Sequence, residues 1–86
     1  DKSVLDIEGD LMLVSQFTLY ADIRKGRRPS FSGAARPDRA EQVYNEVIDL
    51  FRLSGCNVVT GYFGQHMEVE LVNDGPVTIL IDSAST

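Results

Sequence analysis

A chain of 86 residues allows one small domain, and at this size folding buries only roughly 60–65% of the unfolded surface, so a partner subunit or further chain is expected to share the core. With 43% apolar and 24% charged residues, the composition is globular and excludes a disordered tail, a collagen-like repeat and a coiled coil. The net charge of −5 argues against a nucleic-acid binder until it is divided along the chain. Residues 24–39 hold six of the eight basic residues and one acid, a local +5, while the remainder carries −10. That asymmetry predicts one local anionic partner on a body that otherwise repels polyanions.

No apolar run approaches the roughly 18–20 residues of a membrane span, and no charged-then-apolar leader is evident, so the chain reads as soluble. It opens on Asp1 rather than Met, and an N-terminal segment is expected to precede it. The single cysteine, Cys56, cannot form an internal disulfide. It reads as a small buried hydrophobe in a reducing compartment rather than as a nucleophile.

In chain order, Leu11 to Tyr20 (LMLVSQFTLY) is rich in apolar and β-branched residues and is predicted to be a strand covered on both faces. The polar Ser15-Gln16 pair interrupts it; such groups either satisfy neighbouring backbone or belong to a site. Residues 22–37 carry two glycines, two prolines, two serines and the start of the basic cluster, the pattern of a long loop, and loops of that length are usually functional or mobile. From Asp38 onward, Ala40, Val43, Tyr44, Val47, Ile48 and Phe51 recur at three- and four-residue spacing, the apolar stripe of an amphipathic helix. Pro37 suits its first turn, Asp38 and Glu41 its positive end, and Ser54-Gly55 its stop.

Beyond the helix, Asn57 to Phe63 reads as a strand and Gly64-Gln65 as a turn. His66 to Val72 reads as a strand with Met67, Val69 and Leu71 inward and His66, Glu68 and Glu70 wet. After Asn73-Asp74-Gly75-Pro76, the run VTILID supplies a last strand. The order predicts an α+β domain, a largely antiparallel sheet packed against the amphipathic helix. His66, the sole histidine, lacks the further ligands of a metal site and reads as solvated. A glycine-rich phosphate loop, a nucleophile elbow and zinc-ligand spacing are all missing, so no cofactor is implied. The Asn73–Pro76 string fits a hairpin turn, and it also fits a site: Pro76 has no backbone donor, Gly75 leaves its backbone open to a ligand, and an X-Pro bond adopts cis at modest cost.

Two strings, Ser-Gln-Phe-Thr-Leu at 15–19 and Asn-Asp-Gly-Pro-Val-Thr at 73–78, resemble the signature motifs of the D-aminoacyl-tRNA deacylases. Tyr20-Ala21-Asp22, the run at 24–31 and Gly61-Tyr62-Phe63-Gly64 resemble the bacterial members in order and spacing. The likeness covers essentially the whole chain. It implies a cytoplasmic homodimer that hydrolyses the ester joining a D-amino acid to the terminal adenosine of tRNA, as a proofreading step of translation. It also implies that the 86 residues form a single unit, the C-terminal part of a longer deacylase domain whose further strands and helix complete the sheet. By the resemblance, Gly75 and Pro76 form a cis bond that reaches into the partner subunit's site, where backbone oxygens hold the α-amino group and exclude the L configuration. Ser15, Gln16 and Phe17 surround the scissile ester, with backbone donors near Gln16 and Phe17 on the oxyanion. Thr78 lines the pocket as a binding residue, and Arg24, Lys25, Arg27 and Arg28 hold tRNA phosphates. Two other functions fit less of the chain: a non-catalytic RNA-binding module, and a related deacylase with a trans Gly-Pro that acts on glycyl- or L-alanyl-tRNA.

Overall fold

The computed structural model describes residues 1–85. A polar turn leads in. Within it the Asp6 carboxylate accepts from the Ser3 N–H at 2.8 Å, and the Ser3 hydroxyl accepts from the Asp6 N–H at 3.1 Å. Strand β1 follows at Asp10–Leu13. The chain then turns through a short 3-10 helix at Phe17–Tyr20 and a long loop to helix α1, Pro37–Leu53, and strand β2, Asn57–Thr60. A last 3-10 turn spans Ser83–Ser85.

Helix α1 is where the periodicity places it. Pro37 occupies its first turn with Asp38 beside it, and Arg52 lies in the last turn, each complementing the nearby end of the helix dipole. The chain leaves through Ser54 and Gly55, the latter at φ +88, a conformation glycine adopts without penalty. Along the stripe, Ile48 is buried and Ala40, Tyr44 and Val47 are half-buried, while Val43 and Phe51 stay exposed.

Strands β1 and β2 pair in parallel, with Asp10 opposite Asn57 and Leu13 opposite Thr60. This corrects the expected antiparallel sheet. The reason is geometric: a helix of 17 residues runs about 25 Å and carries the chain back to the end at which β1 began. The strand that follows must then point the same way. Cys56 and Val58 lie buried under α1 with Ile48, and the Cys56 thiol points at the Gly9 carbonyl at 3.7 Å, as expected of a small apolar side chain with a weak donor.

The other strand expectations also change. The first strand ends at Leu13 instead of Tyr20, and the second at Thr60 instead of Phe63. Residues 66–72 and 77–82 hold no strand among the described residues. Apolar alternation marks a face that wants covering, but a strand forms only where a neighbour supplies the ladder, and here none lies beside them. Val72 and Leu80 are accordingly 91% and 88% exposed. The Cα radius of gyration, 15.2 Å, exceeds the roughly 12 Å of a compact domain of this length. No helix is long and apolar enough to cross a membrane among the described residues.

Candidate active site

A parallel pair brings the segments that leave both strands to one end of the sheet, the usual place for a site in such units. The Leu13 carbonyl sits at that end. It accepts the Gly61 N–H at 3.1 Å and the Tyr44 hydroxyl at 2.7 Å, so the last residue of β1 is tied both to the exit of β2 and to α1. Past this anchor the chain diverges around an apolar cleft of about 810 Å³, within the size range of small-ligand sites.

Three walls form the cleft. Val14, Ser15, Gln16, Phe17 and Tyr20 come from the exit of β1, Phe63 to Met67 and Val69 from the exit of β2, and Ala40, Val43 and Tyr44 from the first turns of α1. The loop adds Phe31, Ala34 and Ala35, and Pro37 joins them from the start of α1. Phe31 meets Phe17 edge-on, with centroids 5.0 Å apart and planes at 73°, a favoured aromatic geometry. Tyr44 and Phe63 approach at 6.1 Å. Ser15 is half-buried, while Gln16 and Phe17 are exposed at the mouth. The Gln16 side-chain amide donates to the Thr18 hydroxyl. Backbone N–H groups at the start of the 3-10 helix lack intrahelical acceptors, so this corner can donate to a carbonyl oxygen.

Ser15 is the one serine that lines the cleft, and among the described residues its hydroxyl is not hydrogen-bonded to a base. Among the described residues no group of three His, Cys, Asp or Glu could hold a metal ion. A family profile described as D-Tyr-tRNA(Tyr) deacylase matches residues 1–82. The chain belongs to this family. The D-aminoacyl-tRNA deacylase of Picosynechococcus sp. is 58% identical over 80 residues, 93% of this chain and 53% of the relative. That of Symbiobacterium thermophilum is 56% identical over 86 residues, 100% of this chain and 57% of the relative. That of Thermosipho africanus is 58% identical over 81 residues, 94% and 54% respectively. The chain spans about half the length of the curated relatives it matches.

In this deacylase-family chain the residues singled out from sequence fall into three places. Ser15, Gln16 and Phe17 line the cleft together. Gly75, Pro76 and Thr78 do not line it; they form a separate exposed turn in which the Gly75–Pro76 bond is cis, the isomer the resemblance implies. Asn73 brackets that turn, its amide donating to the Thr78 hydroxyl at 3.2 Å and accepting the Val77 N–H at 3.4 Å, a role the sequence reading missed although Asn is a common turn-former of this kind.

Arg24, Lys25, Arg27 and Arg28 occupy the loop between Asp22 and Ser30, whose backbones pair in an antiparallel bridge. Arg24 differs from the others in being paired with Asp22 at 2.8 Å. Its guanidinium, and then its backbone N–H, hold the Asp22 carboxyl below the usual aspartate range, and Asp22 in turn raises Arg24. The aromatic walls Tyr20, Phe31, Tyr44 and Phe63 were also missed as site residues. His66 is exposed, as expected, and stands at the cleft.

Proposed function

We propose that the full-length protein is a D-aminoacyl-tRNA deacylase: water adds to the ester carbonyl, the bond to the ribose oxygen breaks, and a free D-amino acid and tRNA leave. One observation carries the reading. The Ser15-Gln16-Phe17 motif opens an apolar cleft in which nothing is built for side-chain nucleophilic attack. An aminoacyl ester needs no such nucleophile, because its neighbouring ribose hydroxyl can assist attack by water once the two are held in register. What the enzyme must then supply is position and an oxyanion site, for which the donors beside Gln16 and Phe17 are suited. The names of the relatives, D-aminoacyl-tRNA deacylase, agree with this chemistry.

Since Gly75 and Pro76 stand apart from the chain's own cleft, the reading assigns them to the cleft of a second subunit in a cytoplasmic homodimer. There their main-chain oxygens take the substrate's α-amino group and exclude the L isomer, with Thr78 beside them as a binding residue. A main-chain selector leaves the amino-acid side chain unconstrained, so several D-amino acids are substrates. Lys25, Arg27 and Arg28 hold acceptor-stem phosphates, a contribution without sequence information.

Subunit mixing tests this. Ala35→Trp fills the cleft from an exposed position, and Gly75→Ala alters the turn. Each variant alone is inactive on D-aminoacyl-tRNA, whereas a co-refolded equal mixture regains about one quarter of the unaltered activity, because half the dimers are mixed and each has one intact site. A mixture as inactive as its parents removes the cross-subunit assignment.

A further inference from the structure

The cationic loop is more organised than its composition suggests. Asp22 and Ser30 exchange both backbone hydrogen bonds, at 2.7 and 2.8 Å, which closes residues 23–29 into a loop on a fixed base. On that base the Asp22 carboxylate takes three donors from one residue: the Arg24 backbone N–H at 3.0 Å, Nε at 2.9 Å and Nη2 at 2.8 Å. This is the two-pronged geometry in which a guanidinium binds a carboxylate, and the same fork is the one that would grip a phosphate. Ser30 continues the order outward, its hydroxyl accepting the Ser32 N–H at 3.4 Å. Lys25, Arg27 and Arg28 are exposed and enter no hydrogen bond or ion pair among the described residues.

We infer that Asp22 and Arg24 form an internal clasp that shapes the loop, so that of the cations between Asp22 and Ser30 only Lys25, Arg27 and Arg28 present free positive charge to an RNA backbone and Arg24 is a positioning residue. This rests on the RNA-facing reading of the loop and divides its cations by role. The physical basis is charge balance. A guanidinium already neutralised by a carboxylate has no counterion to displace from RNA. Moving it onto a phosphate would strand the Asp22 carboxylate beside that phosphate, so Arg24 adds shape and no net attraction.

The test is the salt dependence of binding between the full-length protein and a fluorescein-labelled tRNA acceptor-stem hairpin, followed by anisotropy from 50 to about 200 mM salt. Arg27→Ala and Arg28→Ala each flatten the slope of log K against log salt by about 0.7–0.9, the value for one lost phosphate contact. Asp22→Asn combined with Arg24→Ala removes the neutral pair whole and weakens binding about two- to tenfold, the cost of ordering a loosened loop on the RNA, at an unchanged slope. Asp22→Asn frees Arg24 and steepens the slope by about 0.7–0.9, which loss of a merely structural contact would not do. Asp22→Arg combined with Arg24→Asp restores the pair and with it the original slope. The Asp22→Asn, Arg24→Ala double variant flattening the slope as much as Arg27→Ala overturns the inference, as does an unchanged slope in Asp22→Asn. Absence of hairpin binding by the unaltered protein overturns it together with the RNA-facing reading, whereas the first two results leave that reading standing.

Discussion

Replacing Tyr44 by Phe removes a single hydroxyl, and the structure says how much should follow. That hydroxyl donates to the Leu13 carbonyl at 2.7 Å, but the same carbonyl also accepts the Gly61 N–H at 3.1 Å. The acceptor is therefore not orphaned, and the penalty of a buried unsatisfied group does not apply. What is lost is one net hydrogen bond, about 1 kcal/mol. The relatives are roughly 150 residues long, since 86 residues cover 57% of one, and at that size the loss lowers Tm by about 2–4 °C. Tyr44→Ala also forfeits the half-buried ring and its approach to Phe63 at 6.1 Å, bringing the total to about 3 kcal/mol, near the low end for aromatic truncation. Urea melts of the full-length protein at constant m-value measure both. Because Leu13 ends the strand that delivers Ser15 to Phe17, Tyr44→Phe should also lower kcat more than it raises KM. A Tyr44→Phe variant as stable and active as the parent would refute the anchoring role. So would one that loses as much as Tyr44→Ala.

Other sites give sharper local tests. A Cβ added at Gly61 would lie 2.7 Å from the Met67 sulfur, so Gly61→Ala costs about 1 kcal/mol while the flexible side chain moves aside; adding Met67→Ala should make the pair less than additive by urea melt. At Gly75, φ is +126 and a Cβ would come within 3.2 Å of the Val77 nitrogen, so Gly75→Ala costs about 1–3 kcal/mol at that turn. It should abolish deacylation yet leave RNA affinity nearly intact in a filter-binding assay. Arg24 holds the Asp22 carboxyl below its ordinary range. The clasp's contribution is therefore complete above the unfolded aspartate value and fades only as pH falls through the lower folded one. Carboxyl NMR should place the Asp22 midpoint lower in the parent than in Arg24→Ala; coincident midpoints would mean that the clasp does not form in solution.

Much of this was legible in the residues themselves. The stripe from Ala40 to Ile48 with Pro37 before it and Gly55 after it located α1 almost to the residue, because local chemistry decides a helix with clear ends. Burial of Cys56 followed from its being alone. The polar Ser15-Gln16 pair inside an apolar run left backbone satisfaction and a site equally open; the resemblance to the deacylase motif is what singled out Ser15, Gln16 and Phe17. Strand partners were less legible. Alternation at residues 66–72 says which side chains want cover, but the pairing and direction of a strand depend on distant segments, and the stretch carries no ladder. The expectation of an antiparallel sheet had a second cost. Only parallel strands bring residues 14–17 and 63–67 out at the same end, so the aromatic walls contributed by Phe31, Tyr44 and Phe63 could not be assembled from an antiparallel reading. Arg24 looked like its neighbours in composition; only the position of Asp22 beneath it separates the two roles.

The most direct test of the account is to incubate matched D- and L-aminoacyl-tRNAs of one amino acid with the full-length protein and follow ester loss. Rapid release of the D-amino acid, with the L ester decaying at its uncatalysed rate and with D-activity lost in Ala35→Trp, is the predicted result. Equal hydrolysis of both isomers, or unaltered D-activity with the cleft filled, would contradict it.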